Sequence, residues 1–140
     1  MPGIYGLSVS QSNPANTIEK MTDAMHLYDC FIKDTPFLGE RVAASRVHLG
    51  QIGEKTSPIE NNSVFVWVEG EAYNLSEIAG QFGLDETLSI GEALLQTYQI
   101  NQLDAFLNKL DGYFCAALYD QNNQQIKLIS DRYGMRMRIP

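Results

Sequence analysis

A chain of 140 residues with 44% hydrophobic and 19% charged side chains suits one compact globular domain, 1–140, with a core that needs neither a disulfide nor a metal to fold. Asp and Glu number 17 against 10 Lys and Arg, and the resulting net charge of -7 has the wrong sign for gripping phosphates, which argues against nucleic acid or an anionic membrane as partner. No apolar run approaches the ~20 residues that span a bilayer, and no basic-then-apolar leader opens the chain, so a cytoplasmic location is expected.

Ile4-Tyr5-Gly6-Leu7-Ser8-Val9 predicts a first strand that ends at the turn Ser12-Asn13-Pro14. Apolar residues at Ile18, Met21, Met25, Tyr28 and Ile32 recur at helical spacing, and Asn16 with Glu19 has the form of a capping box, so a helix is predicted over 17–32. A strand is expected through Arg41-Val42-Ala43-Ala44-Ser45-Arg46, followed by a polar loop that runs to Asn62. Ser63-Val64-Phe65-Val66-Trp67-Val68 is β-branched and aromatic without polar alternation, the pattern of a central strand covered on both faces.

Asn74 to Ala79 predicts a short helix that stops at Gly80 or Gly83, and Ser89 with Glu92 caps a second one through Ala93, Leu94, Thr97 and Tyr98. Leu103, Phe106, Leu107 and Leu110 predict a third, with Gly112 as its left-handed C-cap. Tyr113 to Tyr119 and Gln125 to Ser130, joined by the polar stretch Asp120 to Gln124, predict a hairpin. Strand, helix, strands, helices and hairpin in that order imply an α+β fold of antiparallel sheet with its helices grouped.

Four segments together carry a resemblance: Gly3-Ile4-Tyr5-Gly6-Leu7, Val68-Glu69-Gly70-Glu71-Ala72-Tyr73-Asn74, Leu110 to Asp120, and Asp131-Arg132-Tyr133-Gly134. In order and spacing the chain from residue 1 to about 134 resembles the glutaminase domain of asparagine synthetase, a class II glutamine amidotransferase. The resemblance implies an N-terminal nucleophile hydrolase fold, an αββα sandwich of antiparallel sheets. It also implies a chemistry in which an N-terminal Cys, freed of the initiator Met, attacks the glutamine amide and releases ammonia to an ATP-dependent synthetase domain.

Such chemistry needs a nucleophile with a base beside it, donors aimed at the oxyanion, and charges that hold the two ends of free glutamine. The nucleophile position is Pro2, which offers a secondary amine but neither thiol nor hydroxyl. The oxyanion-hole position before Gly70 is Glu69 in place of the family's Asn, and an ionised carboxylate donates no hydrogen bond. Losing one such donor costs about 2.7 to 4 kcal/mol of transition-state stabilisation. Arg46 corresponds to the Arg that pairs with the substrate carboxylate, Glu71 to the motif Glu, and Ile90 falls where the family has the Asp that binds the substrate ammonium. Lys33-Asp34-Thr35-Pro36-Phe37 stands in the region of the family's His-Arg-Gly-Pro-Asp segment.

Cys30, near the end of the predicted helix, and Cys115, in an apolar strand, read as structural thiols rather than replacement nucleophiles. His26 and His48 show no carboxylate or Cys partner at ligand spacing, so no metal and no cofactor is expected. Trp67 reads as core, Arg132 as a structural member of its motif, and Arg136 and Arg138 as a solvated tail. The family continues past the position of Pro140 with a further strand and a synthetase domain, so either a fragment or a shortened stand-alone relative, with no ATP-binding loop in these 140 residues, is expected.

The expected function is therefore a catalytically silent glutaminase-like domain that serves as scaffold or interaction domain for an ATP-dependent amide-forming partner and forms a homo-oligomer. Two alternatives stand beside it. One is a binding module that holds glutamine or another amino acid through Arg46, Gly70 and Glu71; the other is an atypical amidohydrolase using the Pro2 amine as base, with water activated by Glu69.

Overall fold

A computed structural model describes residues 2–10 and 13–135, which contain both helices and two antiparallel sheets, an α+β fold. The chain divides after Pro58 into two compact units. Arg136 and Arg138 lie outside the described residues.

In the first unit, β1 (Gly3–Ser8) and β4 (Val42–His48) pair antiparallel, with Ile4 opposite Arg46 and Tyr5 opposite Ser45. Two short strands, β2 (Ile32–Lys33) and β3 (Phe37–Leu38), line the other edge of β4. One helix, α1 (Pro14–Met25), packs Ile18 among Tyr5, Ala43 and Val47, and the Tyr5 hydroxyl lies 2.7 Å from the Thr22 hydroxyl.

The helix differs from its predicted span at both ends. Its cap is Asn13 rather than Asn16: the Asn13 side chain accepts from the Asn16 amide, and Pro14 takes the first helical position, where its missing N–H costs nothing. At the other end His26 leaves helical geometry and its ring bonds the Phe31 carbonyl, so Leu27 and Tyr28 face solvent at 63% and 65% exposure. The apolar spacing that ran on to Ile32 is shared between the helix and β2. Cys30 consequently lies beyond the helix and is exposed.

In the second unit the sheet order is β5 (Ile59–Asn61), β6 (Val64–Ala72), β7 (Gly112–Asp120), β8 (Gln125–Ser130), antiparallel throughout. The predicted loop to Asn62 thus ends in a three-residue strand, which pairing with β6 imposes on a polar sequence. Helices α2 (Leu75–Ala79), α3 (Ile90–Gln99) and α4 (Leu103–Lys109), with a 3₁₀ turn at Gly80–Phe82, follow β6. Val64, Val66 and Val68 pack with Leu94, Phe106, Phe114 and Leu118 into one apolar core. Alternation sends Phe65, Trp67 and Glu69 to the opposite face, where the Phe65 ring stacks with Trp67 and Tyr119.

The capping box at the start of α3 is complete. The Ser89 hydroxyl accepts from the Glu92 amide and the Glu92 carboxylate accepts from the Ser89 amide. Gly112 plays another part than the predicted C-cap: it opens β7 opposite Ala72, and a Cβ there would overlap the Glu71 carbonyl oxygen. Its smallness serves close approach of two strands.

Candidate functional site

The residues singled out from the sequence fall in two groups, one in each unit. Pro2, half-buried, directly precedes β1, and Gly3 then pairs with Val47 and Ile4 with Arg46. Arg46 is 3% exposed. Its Nε donates to Asp34 Oδ2 at 2.7 Å, its Nη1 to Glu54 Oε1 at 3.0 Å and its Nη2 to the Lys55 carbonyl at 2.8 Å. The guanidinium is therefore engaged by carboxylates of its own chain.

His48, two residues on and on the same face of β4, belongs to the same cluster, contrary to the reading that it has no carboxylate partner. Its Nδ1 lies 2.8 Å from Glu54 Oε2 and its Nε2 3.4 Å from Asp34 Oδ1. Asp34 Oδ2 also accepts from the Ser57 amide at 3.1 Å, and Glu54 Oε2 from the Gln51 amide at 3.0 Å. Burial raises the Glu54 pKa, but hydrogen bonds from His48 and the Gln51 amide and the charge of Arg46 outweigh it, holding the carboxyl below its ordinary range. Sequence reading missed Asp34 and Glu54 as members of this cluster. Neither sits in a periodic segment, and only a buried cation in β4 signals that carboxylates must converge on it.

In the second unit Glu69, Gly70 and Glu71 lie together on β6, opposite Cys115, Phe114 and Tyr113. Glu69 is 5% exposed, on the face it shares with Trp67, while Glu71 is exposed. Gly70 adopts φ +115, and a Cβ there would overlap the Tyr113 carbonyl oxygen, so both the conformation and the close approach demand glycine. Ile90 is the first residue of α3, half-buried against the apolar core.

The motif segments that carry the resemblance bind each other. Asn74 Nδ2 donates to the Lys109 carbonyl and Asn74 Oδ1 accepts from the Asp111 amide, both at 2.8 Å, while the Tyr73 amide donates to the Asp111 carbonyl. Asp131 is buried and accepts from the amides of Tyr133 and Met135, and Arg132 donates to the Asn108 carbonyl. These motif residues fasten the loop before β7 and the turn after β8.

Half-buried Cys115 faces Glu69 on one side of its strand and Ser130 on the other. Among the described residues no helix is long and apolar enough to cross a membrane, and no group of three or more His, Cys, Asp or Glu is placed to hold a metal ion.

The glutamine amidotransferase domain family model matches residues 44–137, a stretch that takes in most of β4 and the whole second sheet. The chain is similar to asparagine synthetase [glutamine-hydrolyzing] of Gallus gallus, 35% identical over 75 residues, which is 51% of this chain and 13% of that protein. It is also similar to asparagine synthetase [glutamine-hydrolyzing] 2 of Bacillus subtilis, 29% identical over 79 residues, 55% of this chain and 10% of the relative. A putative asparagine synthetase [glutamine-hydrolyzing] 1 of Methanocaldococcus jannaschii is 28% identical over 91 residues, 63% of this chain and 16% of the relative. The similarity thus spans less than a fifth of each relative's own length.

Proposed function

The chain belongs to the glutamine amidotransferase domain family, and from that premise we propose that it is a catalytically silent member, a glutaminase-like domain that acts as scaffold or interaction domain for an ATP-dependent amide-forming domain or protein. The observation that carries this reading is Glu69. A buried Glu side chain stands beside Gly70 where the resemblance calls for an amide donor, and in its ionised form it donates nothing and opposes the negative charge that develops on an attacked amide. Pro2 at the nucleophile position and Ile90 at the ammonium-binding position point the same way.

On this reading both units, residues 1–140, serve one domain in the cytoplasm, with no metal or cofactor of its own. Self-association is part of the proposal. β8 ends the described sheet with Ile126 and Leu128 exposed by 49% and 60%, an apolar margin of the kind a second copy covers. Light scattering at micromolar concentration is expected to give a dimer or larger, and a monomer would remove this part.

The competing module, with an amino acid held by Arg46, Gly70 and Glu71, must contend with a guanidinium already engaged by Asp34 and Glu54. An amide NMR titration of the full chain with glutamine separates the two. The scaffold reading expects dispersed peaks that stay in place at millimolar glutamine. Saturable movement at Gly70 and Glu71 would replace it with the binding module.

A further inference from the structure

The cluster around Arg46 lies wholly within the first unit, and its connectivity says more than that a cation is neutralised. Asp34 follows the edge strand β2, Arg46 and His48 sit on one face of β4, and Glu54 lies in the loop that leaves β4. Glu54 takes three polar contacts: from Arg46 Nη1, from His48 Nδ1 and from the Gln51 amide. Asp34 takes Arg46 Nε and the Ser57 amide, and Arg46 Nη2 reaches the Lys55 carbonyl, so three residues of the 49–58 loop, Glu54, Lys55 and Ser57, are tied to this one buried centre. Arg46 and Asp34 side chains are 3% and 1% exposed, and Glu54, at 20%, is the member nearest to water.

We infer that Asp34, Arg46, His48 and Glu54 form a closed charge clasp that pins the 49–58 loop to β4 and fills the Arg46 guanidinium from within the chain, in the place a ligand carboxylate would take. The planar fork of a guanidinium suits two carboxylates at once, and here both come from the polypeptide. A free carboxylate that displaced Glu54 would also strip the acceptor from His48 and from the Gln51 amide. One that displaced Asp34 would leave a charge buried without its partner, which is the costlier loss. Arg46 is thus a fastening of the loop. The inference stands on this geometry and holds whether the domain is silent or active.

The test uses the full chain and two readouts. In the wild type the Arg46 side-chain Nε–Hε NMR signal is expected to be protected from solvent exchange by Asp34 and to stay in place with glutamine or succinate at tens of millimolar; saturable movement would overturn the clasp. Lys55 offers trypsin a cleavage point inside the loop. Glu54→Gln keeps the shape but drops the charge, and cleavage after Lys55 is expected to quicken about tenfold or more at unchanged far-UV circular dichroism, because cleavage tracks the open population of the loop. An unchanged rate with the fold intact would show that the loop is held by something else. Should Glu54→Gln fail to fold, the wild-type NMR result still decides the matter.

Discussion

Each sheet is built on one strand with a long buried run, yet the two bury different chemistry. β4 takes Ser45, Arg46 and His48 inside, and β6 takes Val64 to Val68, all apolar, before Glu69. The apolar strand gains its stability from area removed from water and is indifferent to charge state. The polar strand must partner its buried charge, and does so by bringing Asp34, which precedes it in the chain, and Glu54, which follows it, onto Arg46. Damage to the first should therefore scale with lost volume, and damage to the second with lost partners.

The largest effect falls on the charge clasp. Arg46→Ala or Asp34→Ala leaves the remaining charge buried and uncompensated, and a loss of about 3 to 5 kcal/mol in urea unfolding is expected. If instead the double replacement Arg46→Met with Asp34→Leu unfolds near the wild type, the pair is a specificity device rather than a source of stability.

Leu94→Ala empties a fully buried position against β6 and should cost about 2 to 5 kcal/mol, with no dependence on pH. A smaller effect appears in acid. Glu54 has a folded pKa below its ordinary value of 4.5, so its contribution is present above that value and fades as pH falls through the lower one. The urea midpoint should drop below about pH 4.5, and Glu54→Gln should flatten that part of the profile while Leu94→Ala leaves its shape alone. The smallest expected change is Ser89→Ala, which removes one half of the α3 capping box at a cost of about 1 kcal/mol.

What the sequence made legible follows the same divide. β6, the Ser89–Glu92 box and the terminal hairpin announce themselves through local pattern: β-branched runs, a cap spacing, a clean alternation. The family motifs were legible too, and the structure adds what they do, with Asn74 fastening Lys109 and Asp111. Patterns shared between neighbouring elements misled. Tyr28 and Ile32 kept helical spacing after α1 had ended, and Gly112 looked like a cap because a glycine after a helix is equally what two closely approaching backbones require. The partners of Arg46 were illegible because Asp34 and Glu54 meet it only through tertiary structure, 12 and 8 residues away along the chain. For the candidate site, Glu69 and Gly70 could be placed on a strand from sequence, but the engagement of Arg46 by its own carboxylates could not.

The proposal of a silent domain is tested most directly by ammonia release from glutamine, measured on the full chain after mass spectrometry has verified removal of Met1. The account predicts release no faster than the protein-free blank. Release above that blank that disappears in both Pro2→Ala and Glu69→Ala would contradict it and make this chain an amidohydrolase of a new kind.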